Sequence, residues 1–118
     1  MKANELRIGN WVKYFYPVME LDIPEYQVEN GADIQVHDNH NVFQPIPLTE
    51  EWLVKFGMVK KMTVFEKEKN SMFAVKEWEG DYVIFWGDNR LPKVEPKYVH
   101  QLQNLYFALT GEELTIKI

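Results

Sequence analysis

Apolar residues in this chain recur mainly at every second position, in short runs closed by turn-forming residues, and this constrains the fold more than any other feature. A period of two places successive side chains on opposite faces of an extended backbone, so such runs read as strands. Met62, Val64 and Glu66 alternate with Thr63, Phe65 and Lys67, and residues 72–78 form a second run. Glu79-Gly80-Asp81 and Gly87-Asp88-Asn89 have turn chemistry. Residues 82–86 between them are apolar on both faces, which suits a strand covered on both sides. A shorter strand is expected over residues 91–94, placed near an edge by Pro92.

The first half repeats the pattern less regularly. Leu6, Ile8, Val12 and Tyr14 alternate with Arg7, Gly9, Trp11 and Lys13. Gly9–Asn10 marks a bulge or bend, and Pro17 ends the strand. Parity sets Trp11 and Phe15 opposite Leu6 and Ile8, making them the aromatics expected at the surface or in an interface. Residues 17–25 read as irregular. Tyr26, Val28, Ile34 and Val36 then suggest a hairpin about Asn30–Gly31. Its apolar register requires a loop of three or five residues. Leu114, Ile116 and Ile118 suggest a closing strand.

Two segments break the alternation. Thr49 is a good N-cap, Glu50 and Glu51 suit a first turn, Trp52, Leu53 and Phe56 share a face, and Gly57 suits a left-handed stop, giving a short helix near 49–56. Pro96 suits a helix start. Tyr98, Leu102, Leu105 and Leu109 recur at helical spacing up to Gly111, giving an amphipathic helix near 97–110. Helices and strands in runs rather than in strict alternation indicate an α+β fold with mainly antiparallel sheets of seven to eight strands. At 118 residues the expectation is one domain over 1–118.

Cysteine is absent, which removes disulfides, thiolate metal sites and cysteine nucleophiles. No apolar run reaches membrane-spanning length and the N-terminal residues do not resemble a secretory signal, so a soluble, cytoplasmic protein is expected. The net charge of −5 opposes strong non-specific nucleic-acid binding. Its distribution says more. Between Tyr14 and Val54 there is no Lys or Arg but eight acids, including Glu20, Asp22 and Glu25. From Lys55 to Lys69 the balance becomes lysine-rich.

Chemistry-bearing motifs are few. His37-Asp38-Asn39-His40 has histidines three apart but reads as a turn without a third metal ligand nearby. Glu20, Asp22 and Glu25 do not follow the spacing of a calcium loop. Ser71 is the only serine and has no histidine near it in sequence. There is no phosphate-binding glycine loop and no zinc-protease or hydrolase signature. The reading therefore leans away from an enzyme and names no catalytic residue, metal ligand or cofactor. The string His100, Gln101, Gln103 and Asn104 is unusual for a solvated helix face. Its amides serve either neighbouring loops, the preferred reading, or a partner.

Three segments carry a resemblance: LRIGNWV (6–12), FQPIPLTEEWLVKFGM (43–58) and YVHQLQNLYFALTGEEL (98–114). Together they resemble a family of small uncharacterised proteins of Bacteroides-type bacteria and their phages and mobile elements. The resemblance implies an intracellular bacterial or phage setting and brings no activity. The combined expectation is an accessory or protein-interaction domain, monomeric or homodimeric, engaging a partner with a basic surface. Its candidate surface is Trp11, Phe15, Glu20, Asp22, Glu25, His100, Gln101 and Asn104. The alternative is a nucleic-acid-binding module using Trp11, Tyr14 and the lysines between Lys55 and Lys69.

Overall fold

The computed structural model describes residues 1–67 and 70–116, with residues 70 and 71 described by their backbone alone. It is α+β, with eight strands in two antiparallel sheets and three α-helices among the described residues. The chain divides into two compact units: Met1–Pro47 with Tyr98–Glu113, and Leu48–Lys97 with Leu114–Ile118.

The first unit carries a three-stranded sheet in the order β2-β1-β3, from β1 (Trp11–Tyr16), β2 (Leu21–Gln27) and β3 (Phe43–Gln44). The expected first strand starts later than its alternation suggested, because Arg7 to Asn10 form a turn closed by the Asn10 N–H on the Arg7 carbonyl (3.1 Å). The segment 17–25, expected to be irregular, holds a single 3-10 turn (Pro17–Met19), a left-handed Glu20 (φ 54°) and most of β2. The β1–β2 register slips between Val12 and Tyr14, so that Val12 faces Tyr26 while Tyr14 faces Ile23. Pro24 lies within that slip, where a residue without an N–H costs the ladder nothing further. The slip also lets Tyr26 and Ile23, of opposite parity, share the face of Val12 and Tyr14. That face holds the unit's core of Leu6, Val12, Val28, Val42 and Phe43.

The expected hairpin about Asn30–Gly31 is a helix, α1 (Gly31–His40). Asn30 is its N-cap, with Oδ1 accepting the Asp33 N–H (3.0 Å), and Asp33 accepts the Glu29 N–H (2.8 Å) in return. Asn41 ends it in the left-handed conformation (φ 51°). The alternation of Ile34 and Val36 is incidental: Ile34 packs against the core while Val36 is exposed. His37 and His40 therefore occupy the last turn of a helix rather than a loop. In the same unit α3 (Val99–Thr110) follows its predicted span, with Val99, Leu102 and Tyr106 buried and Gly111 left-handed (φ 76°).

The second unit is a five-stranded meander, β4 (Met58–Lys61), β5 (Val64–Lys67), β6 (Asn70–Trp78), β7 (Asp81–Trp86) and β8 (Asn89–Arg90), in sequence order. Sequence reading gave β5 two extra residues and missed β4. Met62 and Thr63 are the turn between them, with Met62 left-handed (φ 60°). The strand expected over 91–94 ends before Pro92, and Asn89 and Arg90 do the pairing instead. Residues 114–116 form no strand, and the rest of the expected closing strand lies outside the described residues.

Register sorts the meander into two faces. Phe65, Val75 and Ile84 lie opposite one another across three strands and are fully buried, with Phe73 and Met58 on the same face. Helix α2 (Glu50–Lys55) covers this face, burying Trp52 and Leu53, with Phe56 after it. Two lysines of that face reach it: Lys60 pairs with Glu50 (3.3 Å), and Lys67 donates to the Phe56 carbonyl (3.2 Å). Thr49 takes the N-cap backbone conformation, but its side chain makes no capping bond.

Candidate functional site

Two polar constellations stand out, both in the first unit. The first joins the inner side of α3 to residues 5–11. Asn104 is its centre: Oδ1 accepts from Arg7 Nη1 (3.0 Å) and Asn10 Nδ2 (2.9 Å), and Nδ2 donates to the Glu5 carbonyl (2.8 Å). Gln103, buried, donates to the Gly9 carbonyl (2.9 Å) and accepts the Trp11 N–H (2.8 Å). Arg7 also pairs with Glu113 and lies 4.0 Å over the Phe107 ring. Gly9 is needed here, since its backbone at φ 97° lets its N–H and carbonyl face Val28 and Gln103. Residues 5–11 and α3 thus clasp each other. The amides Gln103 and Asn104 serve a neighbouring loop, and Gln101 accepts the Tyr98 N–H (3.2 Å) at the helix start.

His100 lies beside this clasp and is 1% exposed, so it cannot belong to a docking surface as the sequence reading placed it. Among the described residues neither ring nitrogen has a hydrogen-bond partner, and Nε2 stands 3.6 Å from Glu5 Oε1, beyond hydrogen-bonding reach. Burial holds the imidazole pKa below its ordinary value, against the opposing pull of Glu5. The Glu5 carboxyl is held low, first by the Lys2 N–H that it accepts (2.8 Å) and further by His100.

Around His37 the arrangement is the reverse. It is buried and fully engaged: Nε2 donates to the Met1 carbonyl (2.7 Å), Nδ1 accepts the Phe43 N–H (2.9 Å), and the ring stacks on Phe43. With both nitrogens occupied it has no lone pair for a metal. Among the described residues no cluster of three His, Asp or Glu side chains could hold one. A cavity of about 460 Å³ opens beside His37, Asp38 and Asn41. Tyr26, half-buried beside Asp33 and donating to its carboxylate (3.1 Å), has its pKa pushed up to about 12, first by the loss of solvent around it and then by that carboxylate.

The second constellation is the β1–β2 hairpin tip. Val18 and Met19 are 79% and 63% exposed, and Leu21 and Ile23 are half-exposed. Glu20, Asp22 and Glu25 are exposed among them. Asp22 faces Phe15 across the ladder and lies 3.8 Å from Lys13, which sits over the Phe15 ring. The sequence-predicted surface thus divides. Phe15, Glu20, Asp22 and Glu25 come together on one hairpin, while His100 and Asn104 turn inward. Trp11 is half-buried, on the sheet face away from Val12. Missed were the exposed Val18 and Met19, whose signal was two apolar residues beside a proline turn. Tyr14, named for base stacking, is wedged edge-on between Tyr26 (5.1 Å) and Phe43 (5.2 Å) and cannot stack on a base. Lys69 and the side chain of Ser71 lie outside the described residues.

No protein-family model, curated protein or solved structure matches this chain.

Proposed function

We propose that this chain is a non-enzymatic interaction domain that engages a basic protein surface through the acidic, apolar tip of its β1–β2 hairpin. The observation that carries the reading is the tip itself. Val18, Met19, Leu21 and Ile23 give up water-exposed apolar area on docking, and Glu20, Asp22 and Glu25 select a cationic counterpart. The unit that bears the tip has nine acids and three cations, so its field attracts basic partners at long range. Pro24 interrupts the row of N–H donors along β2, which favours side-chain docking over addition of a strand. An accessory role in a bacterial or phage setting belongs to the same proposal, and the resemblance supports it.

The test is affinity capture from a host lysate with the tagged chain and its Glu20→Lys/Asp22→Lys variant, each with and without nuclease. A protein captured by the parent, retained after nuclease and lost with the variant is expected. Capture that is indifferent to the variant would overturn the tip as the contact, and capture abolished by nuclease would replace the reading with nucleic-acid binding.

A further inference from the structure

Asn30–Gly31 carries a chemistry beyond its place at the start of α1. Asn30 is the one asparagine of the chain followed by glycine. Both residues are exposed. The Gly31 N–H lies in the first turn of α1, where no intrahelical carbonyl can accept it. A methyl group at position 31 would meet nothing within 4 Å, so no neighbour shields this stretch of backbone from solvent. Two things hold the pair from reacting. Asn30 is extended (φ −160°, ψ 176°), and its Oδ1 accepts the Asp33 N–H (3.0 Å). Rotation about ψ, with release of that bond, swings the Gly31 nitrogen onto the side-chain Cγ. Little else fastens this end of the helix. Gly31 and Ala32 are exposed, glycine has the freest backbone of any residue, and the buried residue of α1, His37, stands near the opposite end. Helix ends of this kind open locally at small cost in free energy.

We infer that Asn30–Gly31 is a self-modification site: when the cap opens, Asn30 converts through a cyclic imide to an isoaspartyl residue that no longer caps α1. The Gly31 nitrogen gives its proton to hydroxide and bonds to Asn30 Cγ. The Cγ–Nδ2 bond breaks, and the amide leaves as ammonia with a proton taken from water. Water then opens the imide at one of its two carbonyls. Opening at the side-chain carbonyl gives an ordinary aspartyl residue, whose carboxylate still accepts the Asp33 N–H. Opening at the backbone carbonyl leaves the chain running through Cγ, one methylene longer, with its carboxylate out of register for the cap. The start of α1 then loses its fastening, and the helix is held by Ile34 and His37 instead. The inference stands apart from the reading of the hairpin tip.

The test incubates the folded chain for weeks in mildly alkaline buffer at physiological temperature, beside the same chain in urea and the Gly31→Ala variant. Residue 30 is followed by peptide mass and isoaspartyl content. Position 31 has room for a methyl group and an ordinary φ, so the variant keeps the fold. Expected is conversion at Asn30 ahead of every other asparagine, severalfold faster in urea and severalfold slower in Gly31→Ala. Hydrogen exchange in the purified isoaspartyl form should be faster throughout α1 and unchanged in β6 and β7, with the aspartyl form like the parent. A folded chain that stays unconverted while the urea sample converts would overturn the inference. So would an isoaspartyl form whose α1 exchanges as slowly as the parent's.

Discussion

Asn10, His37, His100 and Gln103, the buried polar residues among those described, all belong to the first unit, whereas the second packs its sheet around Phe65, Phe73, Val75 and Ile84, with the indole of Trp52 from α2. The units therefore obtain definite structures by different means. Apolar burial in the meander is non-directional and tolerates small adjustments. The clasp between residues 5–11 and α3 is directional: a buried amide that loses its partner costs more than the bond contributed when made. Unequal sensitivity to substitution follows, and it can be tested in order of size.

Phe65→Ala should cost about 3–5 kcal/mol in equilibrium unfolding, because a fully buried ring on the α2 side of the sheet leaves a cavity. Hydrogen exchange should show the loss concentrated in β4 to β7. Gln103→Leu, close in size, should cost about 1–3 kcal/mol, chiefly by removing the acceptor of the Trp11 N–H, since the Gly9 carbonyl keeps a second donor in Gln27 Nε2 (3.2 Å). Faster exchange at Trp11 with β6 and β7 unchanged would confirm its locality. A cost near zero would show the clasp to be ornamental and would break the comparison.

Acid should distinguish the units next. The folded-state pKa of His100 lies below its unfolded value, so the unfolded chain binds more protons as pH falls. The associated stability is complete above the unfolded imidazole pKa of about 6.5 and is lost as pH drops below it. Glu5, also lowered, adds stability that is present above the ordinary carboxylate pKa and is lost as pH falls towards its folded value. The first unit should loosen from neutral to mildly acidic pH, and His100→Leu should flatten the upper part of that slope in a pH series of melts. At the alkaline end, Tyr26 should titrate near 12 in ultraviolet difference spectra. The smallest effect belongs to the exposed Lys61–Glu66 pair, where Lys61→Ala should change stability by less than about 1 kcal/mol.

The same contrast explains which parts the sequence made legible. In the meander, the turns at Glu79–Gly80 and Gly87 and the strands between them follow from alternation, because one face is buried and parity alone decides which. The spans of α2 and α3 follow from their stripes and glycine stops. In the first unit, Ile34 and Val36 alternate and Asn–Gly is the commonest hairpin dipeptide, so α1 was misread. The deciding signal was the Asn30-x-x-Asp33 spacing of a reciprocal cap. The burial of His37 and His100 left no trace in periodicity, since each is set among residues outside its own helix, Met1 and Phe43 for one and Glu5 for the other. Of the candidate surface, the acids of the hairpin were found from charge counting. Its apolar half, Val18 and Met19, needed the exposure of the turn that carries them.

Pro24 has a consequence for the protein as a solute. An outer strand that carries Leu21 and Ile23 offers other chains a template for growth into fibrils. With a proline and a register slip near its middle, β2 has no uninterrupted donor row long enough to propagate such a ladder, and the neighbouring carboxylates repel a parallel copy. The exposed apolar side chains of β2 are thus held on a strand whose backbone gives a growing ladder no continuous foothold.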